Sequence, residues 1–535
     1  MVLSTSPKTS GESERRALAG RAGIVGGGTL VSRLLGLVRD QTLAALFSRG
    51  ETDAFWVAFT LPNALRSLLG EGAASAAVVP VLAKVKATEG DLAARQFFAR
   101  MRGVSLAALV LVTVLGMFFA SLLVELFAGG LHARSGAFER TVVLTRWVFP
   151  YIFFMGTAAL GMAALNTYGR FAAAAFAPAL LNVAFVVAAV VLPRWLRPRG
   201  FDPILALAIG ALAGGALQVV AQWPSLRSIG FAGRPRFGWG DARVREALGR
   251  MVPMMAGIGI YAVDLVLSRR FLAELGEGSQ SYFSWAMRLC DFPQGIFVLA
   301  LQAATLPSLA KLGAAGDLEE VAKTYAYGMR LSLFVAIPAT ALLVVLARPL
   351  VVSLFERGAF DATSSAETAR ALVAQGLGVW TVAAVRQLLP VFYALGDTRT
   401  PVLVSGLDLL AFIAVAFSLR GPWGHVGVGA AVSISSAAQM VLLWVFLRKR
   451  LPTLCLGEIG VSVLRTGTAS CVAGAAGYSV AHTLAGQEGP RVVTQLLPGL
   501  VGATVFAVVF FAAARVMNSR ELEALLGPLK RRIAR

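Results

Sequence analysis

Residues 104–124 read VSLAALVLVTVLGMFFASLLV and contain no charged side chain. A helix of about 20 such residues crosses the apolar core of a bilayer, and comparable apolar runs recur along the whole chain. Unbroken runs of this length favour helices over the alternating pattern of a membrane β-barrel. We therefore predict an all-α membrane protein with about fourteen transmembrane helices. Their centres fall near residues 30, 68, 115, 153, 183, 213, 257, 297, 342, 381, 410, 436, 472 and 504.

The composition agrees with a membrane protein. Of the 535 residues, 57% are hydrophobic and 15% are charged, and 49 Lys and Arg against 29 Asp and Glu give a formal net charge of +20. The basic residues are scattered between apolar runs, which argues against a nucleic-acid partner. They are densest in segments that lie in the cytoplasm when both termini are cytoplasmic. We expect a multi-pass protein of the cytoplasmic (inner) membrane in that orientation.

Two short matches indicate an internal repeat. Val79-Pro80-Val81-Leu82-Ala83-Lys84 is similar to Leu306-Pro307-Ser308-Leu309-Ala310-Lys311, and Tyr168-Gly169-Arg170 corresponds to Leu395-Gly396-Asp397 at the same separation along the chain. Since transporter folds are commonly built from duplicated halves, we predict two six-helix lobes around a central, substrate-binding cavity, plus two C-terminal helices. The expected segments are a cytoplasmic tail (1–21), an N-lobe (22–223), a cytoplasmic linker (224–246), a C-lobe (247–447), spans 13 and 14 (448–516) and a basic cytoplasmic tail (517–535).

Arginines at predicted membrane depth are the main candidate site residues. Four of them lie on predicted spans one, two and eight, namely Arg33, Arg39, Arg66 and Arg288. Each costs about 2.5–3.5 kcal/mol at the bilayer centre, so we expect them to face a water-filled cavity, an acid or the substrate. Because a guanidinium group binds phosphate oxygens in pairs, they favour an anionic, pyrophosphate-containing substrate. The alternative is internal ion pairing, of Arg39 with Asp40 or of Arg66 with Glu71.

The sequence does not predict an enzyme. Its three histidines are far apart, and it contains neither a nucleophile elbow nor a phosphate-binding P-loop. We expect no cofactor and no metal, so a coupling ion or the membrane potential would have to drive transport. Asp264 and Asp408 are candidate acids for a cation site, and simple pairing or packing is the alternative for both.

Several motifs together resemble a known family. They are Ser32-Arg33-Leu34-Leu35-Gly36-Leu37-Val38-Arg39-Asp40, Thr52-Asp53-Ala54-Phe55-Trp56-Val57-Ala58-Phe59, Leu61-Pro62-Asn63-Ala64-Leu65-Arg66 before Glu71-Gly72-Ala73, and Arg288-Leu289 with Phe292-Pro293. Over about residues 22–450 the chain resembles the MurJ (MviN) lipid II flippase family of the multidrug/oligosaccharidyl-lipid/polysaccharide (MOP) exporter superfamily. The resemblance implies alternating-access flipping of lipid II, the undecaprenyl-pyrophosphate-linked disaccharide-peptide of bacterial peptidoglycan (cell wall) synthesis, to the outer leaflet.

The resemblance also implies roles for individual residues. Residues that match the four arginines line the family's central cavity, so these arginines are expected to bind the pyrophosphate. Gating or ion pairing is implied for four acids, namely Asp40, Asp53, Glu71 and Asp291. Two positions depart from the family pattern: Ser67 stands where relatives often have a second arginine, and Met287 where they often have an aspartate. Asp291 is therefore expected to serve as the acid near Arg288.

Two other cargo classes stay open. The chain could export another polyprenyl-pyrophosphate-linked oligosaccharide as a related MOP-superfamily member, or it could be a drug antiporter. Cationic drugs are disfavoured because a cavity with four arginines repels cations. The expected partners are lipid II, membrane lipids and other proteins of cell-wall synthesis.

Overall fold

The computed structural model describes residues 8–66, 73–486 and 491–525, and all regular secondary structure in these ranges is helical, as predicted. Side chains are outside the described part at 8–25, 73–76, 171, 174, 252–262, 264, 296, 303, 491 and 492. Every predicted span centre falls in a helix except the one near residue 68, which lies outside the described residues. The chain forms two compact units.

The N-terminal unit comprises Met1–Leu46 and Ala54–Val266. Its helices are α1 (Lys8–Leu46), most of α2 (Arg49–Arg66), α3 (Ala73–Phe118), α4 (Ala120–Ala128), α5 (Ala137–Val148), α6 (Tyr151–Thr167), α7 (Phe171–Val191), α8 (Pro193–Leu196), α9 (Leu205–Ser228) and most of α10 (Ala242–Ala273). Helix α1 packs on α7, α7 on α9, and α3 on α6. A Cβ atom on Gly214 of α9 would lie 2.8 Å from the Cα of Leu181 on α7, so glycine allows these two helices their close approach.

The C-terminal unit comprises Phe47–Asp53 and Leu267–Arg535. Besides the start of α2 and the end of α10, its helices are α11 (Ser279–Pro293), α12 (Leu299–Ala315), α13 (Leu318–Val345), α14 (Ala347–Phe355), α15 (Ala362–Gly376), α16 (Val379–Ala394), α17 (Arg399–Leu447), α18 (Leu456–Ala485) and α19 (Arg491–Val516). A π-helical turn, Gln294–Val298, joins α11 to α12. Helix α13 packs on α16 and α18, α11 on α15, and α18 on α19.

Helix α17 contains a break that divides it into two spans. It has 49 residues, which would extend for about 74 Å as a straight helix, far beyond the roughly 30 Å of a bilayer's apolar core. Gly424 has a φ of 57° and a non-helical ψ, a conformation that glycine adopts without a Cβ clash. The predicted centres near 410 and 436 lie on either side of this break.

Nine helical stretches of the described residues are long and apolar enough to cross a membrane. In this number α17 counts as one stretch although it contains two predicted spans, and α5 and α6 are joined into one stretch. The nine stretches are therefore not directly comparable with the predicted fourteen or so spans. The lobe boundaries that we expect from the sequence stay predictions.

An aromatic cluster forms part of the core of the N-terminal unit. Phe55 and Phe59 of α2 stack with their ring centroids 5.4 Å apart. Both rings meet Phe185 of α7 edge-on, at 5.9 and 5.8 Å. Phe59 also contacts Tyr151 of α6 at 5.4 Å. The cluster therefore fixes α2 against α6 and α7. It also places the ring of Phe185 next to Arg39.

Candidate functional site

Arg39 is a buried arginine on α1 with three protein partners. Its Nε and Nη2 atoms donate to Oδ1 of Asp40, at 2.9 and 2.7 Å. Nη1 donates to Oδ1 of Asn182 on α7, at 3.0 Å, and the guanidinium lies 5.4 Å from the Phe185 ring centroid. Arg39 is 9% exposed and Asp40 is fully buried. The structure thus brings together the predicted pair Arg39 and Asp40.

Asn182 extends this network and was not singled out from the sequence. Its Nδ2 donates to the main-chain carbonyl of Ser32 on α1, at 2.8 Å, while its Oδ1 accepts from Arg39. One amide therefore ties α1 to α7 at two places. A buried polar side chain with both functions satisfied orients its neighbours, because any other placement would leave a buried donor or acceptor unmatched.

The other predicted arginines lie on three different helices. Arg33 of α1 and Arg66 at the end of α2 are partly buried in the N-terminal unit, and Nε of Arg66 donates to Oδ1 of Asn63 at 3.0 Å. Arg288 of α11 is partly buried in the C-terminal unit. Asp291 is three residues further along α11, a spacing that makes side chains neighbours on a helix surface. Glu71, the predicted partner of Arg66, lies outside the described residues.

Asp53 caps a helix that is distant from it in sequence. Its Oδ2 accepts from the main-chain N–H of Gly278, at 2.7 Å. Its Oδ1 accepts from the N–H and the hydroxyl of Ser281, at 2.9 and 2.7 Å. Gly278 precedes α11 and Ser281 lies in its first turn, where N–H groups have no partner within the helix. Asp53 is 1% exposed, so a buried carboxylate meets the positive end of the α11 dipole.

The residues around Asp53 join the starts of three helices. The Oγ1 of Thr52 lies 2.7 Å from the Oγ of Ser281. Arg49, one turn earlier in α2, donates to the hydroxyl of Tyr282 at 3.3 Å and to Oδ2 of Asp361 at 2.5 Å. Asp361 in turn caps α15. The first turns of α2, α11 and α15 are therefore linked by polar contacts within the C-terminal unit.

Arg269 is a second buried arginine that the sequence analysis did not single out. It is 3% exposed and lies near the end of α10. Its Nη1 donates to the carbonyl and to Oε1 of Gln280, at 3.3 and 3.1 Å, and to Oγ of Ser284 at 2.8 Å. Gln280 returns a bond from Nε2 to the carbonyl of Arg269, at 2.8 Å. Arg269 thus holds the same first turns of α11 that Asp53 caps.

The two candidate cation-site acids, Asp408 and Asp264, lie on α17 and α10. Asp408 is partly buried on the first half of α17. Nearby, Nε2 of Gln439 in the second half donates to Oγ of Ser405 in the first, at 3.4 Å. Asp264 lies on α10, and its side chain is outside the described part. Within the described residues, no group of three or more His, Cys, Asp or Glu side chains is arranged to hold a metal ion.

Comparisons with known proteins identify the family. The family model described as lipid II flippase MurJ matches residues 43–502. The lipid II flippase MurJ of Burkholderia cenocepacia is 36% identical over 434 residues, which are 80% of this chain and 83% of that protein. The probable lipid II flippase MurJ of Bdellovibrio bacteriovorus is 30% identical over 96% of this chain and 97% of that protein.

Solved structures show the fold. A structure titled lipid II flippase MurJ, inward closed conformation, has a TM-score of 0.74 at 22% identity and covers 92% of this chain and 99% of that one. An inward-facing multidrug resistance MATE family transporter of the MOP superfamily has a TM-score of 0.65 at 15% identity, over 78% of this chain and 94% of that one. The predicted all-helical membrane fold is thus confirmed. Because the family model and the relatives match most of the chain, the protein is a multi-pass membrane transporter and not an enzyme. The chain belongs to the lipid II flippase MurJ family.

Proposed function

We propose that this protein flips lipid II from the cytoplasmic to the outer leaflet by alternating access. Family membership carries the proposal, because relatives named for this activity match most of the chain. The chemistry of the chain supports it, since arginines recur on apolar helices and lipid II carries a pyrophosphate. Arginine suits this group because its planar fork of donors binds two phosphate oxygens at once.

The proposed pyrophosphate ligands are Arg33, Arg39, Arg66 and Arg288. Arg39 is held in place by Asp40 and Asn182, which both accept its hydrogen bonds. A phosphate that binds the Nε and Nη2 edge of Arg39 competes with Asp40, which accepts from both atoms. We propose that this competition couples substrate arrival to the packing of α1 on α7, since Asn182 of α7 is bonded to both Arg39 and Ser32 of α1. Asp53 is proposed to act as a gate residue through its contacts with α11.

The energy source is proposed to be a coupling ion or the membrane potential. Asp264 and Asp408 stay candidates for binding such an ion. Both termini are proposed to be cytoplasmic, since the basic segments of the chain would then face the cytoplasm. Other proteins of cell-wall synthesis are proposed as partners of the flippase.

Reconstitution tests the function directly. The purified protein is placed in vesicles that carry fluorescent lipid II in one leaflet, and appearance of the label in the other leaflet is followed. We expect translocation of lipid II and none of a neutral polyprenyl-linked lipid. Equal rates for both lipids, or no translocation of either by folded protein, would refute the proposal.

Substitutions then test the ligands. Arg33→Ala, Arg66→Ala and Arg288→Ala are each expected to lower translocation at least tenfold, because each removes a charge-assisted contact worth about 1.5–3 kcal/mol. Arg370→Ala is the matched control, since that side chain is 64% exposed. Unchanged translocation by the three variants would remove these residues from the binding site and leave the substrate assignment intact.

A further inference from the structure

The segment between α9 and α10, residues 229–241, is held rigidly on the N-terminal unit. We refer to it as the linker. The N–H of Arg236 donates to the carbonyl of Ala99 on α3, at 2.9 Å. Arg102 of α3 donates to the carbonyl of Phe231 at 3.2 Å and also to that of Gly233. A main chain that is bonded at these points cannot move freely relative to α3.

Both ends of the linker are anchored by side chains. At its start, Phe231 is buried between Phe98 and Tyr168, with ring centroids 4.8 and 5.0 Å away. At its end, Asp241 accepts from Arg243 at 2.9 Å and from Arg100 at 2.5 Å. The hydrogen bonds from Arg243, assisted by Arg100, hold the pKa of Asp241 well below its usual range. The linker is therefore pinned by an aromatic contact at one end and by ion pairs at the other.

The middle of the linker exposes a strip of basic and aromatic side chains. Residues 234–239 read RPRFGW, and we call them the RPRFGW strip. Phe237 is 73% exposed and Trp239 is 58% exposed. Arg234 and Arg236 are exposed beside them, whereas Gly238 is buried against Arg100. Two large aromatic side chains on a fixed loop present apolar surface that folding has not covered.

The position of the strip indicates what covers it. It begins six residues after Ser228, the last residue of the membrane-spanning helix α9, and it therefore lies near the surface of the bilayer. Tryptophan favours the level of the lipid headgroups, and phenylalanine inserts its apolar ring at the boundary between headgroups and acyl chains. Arginine binds phosphate there, and the surface potential of anionic lipids attracts it further. Since the strip is already ordered, binding costs little conformational entropy.

We propose that the RPRFGW strip is a binding site for anionic phospholipid headgroups, with the two arginines on the phosphate and the two aromatic rings in the interface. This anchors the N-terminal unit in the membrane surface through a rigid loop. The role is separate from the proposed binding of lipid II, because the strip shares no residue with the proposed pyrophosphate ligands.

Fluorescence quenching tests the proposal in the intact protein. The protein is placed in nanodiscs of phosphatidylcholine with increasing phosphatidylglycerol, and either lipid carries bromine on its acyl chains. The signal of Trp239 is the difference between the unchanged protein and Trp239→Phe. We expect brominated phosphatidylglycerol to quench this signal at a lower mole fraction than brominated phosphatidylcholine. Arg234→Gln and Arg236→Gln should each raise the half-quenching fraction about fivefold, which corresponds to about 1 kcal/mol per arginine at a lipid surface.

A second Arg-Pro-Arg sequence provides the matched control. Arg197 and Arg199 flank Pro198, and both are exposed, so Arg197→Gln and Arg199→Gln, made singly, each remove the same single charge from a similar sequence. This control should leave the Trp239 signal unchanged, and unchanged thermal unfolding of all variants verifies the fold. Equal quenching by both lipids would overturn the anionic headgroup. Quenching of Trp239 by aqueous iodide without quenching by either lipid would overturn the membrane contact altogether and leave the strip to a soluble partner.

Discussion

Asp53→Asn tests whether the start of α11 is part of a gate. Asparagine keeps the size and one oxygen of aspartate, so Oδ1 can still accept both bonds from Ser281. The other oxygen becomes an NH2 group that faces the N–H of Gly278. In the unchanged protein the nitrogen of this N–H lies 2.7 Å from Oδ2 of Asp53. One donor then points at another in a buried place.

The expected cost follows from these contacts. A buried N–H that loses its acceptor costs about 1–3 kcal/mol, and the two remaining bonds weaken because charge-assisted bonds are roughly twice as strong as neutral ones. The carboxylate also loses its interaction with the α11 dipole, about 0.3–1 kcal/mol. Since Asp53 is 1% exposed, water does not replace these contacts. We expect a total of about 2–4 kcal/mol, which is a thirtyfold or larger loss of the state in which α2 and α11 are joined here.

A disulfide measures that state. The hydroxyls of Thr52 and Ser281 lie 2.7 Å apart, so Thr52→Cys with Ser281→Cys should crosslink readily once Cys290, Cys455 and Cys471 are replaced. The crosslink should stop lipid II translocation until it is reduced. Ser281→Cys removes the hydroxyl that donates to Asp53 but leaves the two main-chain bonds from Gly278 and Ser281. In this background Asp53→Asn is therefore expected to slow crosslinking at least tenfold, because it removes the acceptor of Gly278 and weakens the bond from the Ser281 N–H.

The control is Asp317→Asn, because Asp317 also caps a helix, α13, but does so within its own chain segment and at an exposed position. Wild-type crosslinking and translocation by the Asp53→Asn protein would refute the reasoning, since they would mean that the three hydrogen bonds do not hold the gate.

Substitutions at Arg39, Asp40 and Arg269 and one fusion test other parts of the molecule. Arg39→Lys keeps the charge but loses the planar fork, so we expect clearly impaired complementation of a flippase-deficient bacterium. The double change Arg39→Ala with Asp40→Ala should not recover the function that either single change loses. Recovery would show that the two residues serve only to pair with each other. Arg269→Met should reduce the same crosslink about tenfold or more, because it leaves buried acceptors unmatched at about 1–3 kcal/mol each, whereas Arg270→Met on the more exposed neighbouring side chain should not. A reporter fused after Lys449 should be cytoplasmic, and external labelling there would contradict the orientation.

Apolar runs predict the helices well because a membrane helix satisfies its own backbone hydrogen bonds. Whether a segment forms a membrane helix therefore depends on its own residues, and a stretch such as 104–124 predicts a helix without knowledge of the helices that pack against it. The pairing of Arg39 with Asp40 is equally local, since the two residues are adjacent. The role of Asp53 in gating or ion pairing was predicted from the family resemblance, which does not say which atoms Asp53 contacts.

The partners of these residues could not be derived in the same way. Asn182 is 143 residues from Arg39, and Gly278 is 225 residues from Asp53. Such contacts depend on which helices pack together, and helix packing in membranes is set by shape and by small residues along a whole face. The sequence did not predict the role of Arg269 for a related reason. Its burial comes from the turn into α11, whereas the sequence only places it at the end of a span.

Membrane depth has a different meaning for Arg39 than for an arginine that faces lipid. The cost of about 2.5–3.5 kcal/mol assumes an uncompensated charge, but Asp40 compensates this one at 2.7 Å. Depth alone therefore does not assign Arg39 to the substrate. What supports a substrate role is the arrangement around it, because an acceptor on α7 and an acid on α1 share one guanidinium. We expect a pyrophosphate that draws the guanidinium away from Asp40 to disturb its bond to Asn182 as well, which is the contact between α1 and α7. A lysine in the same place would offer the charge without the fork that reaches both acceptors.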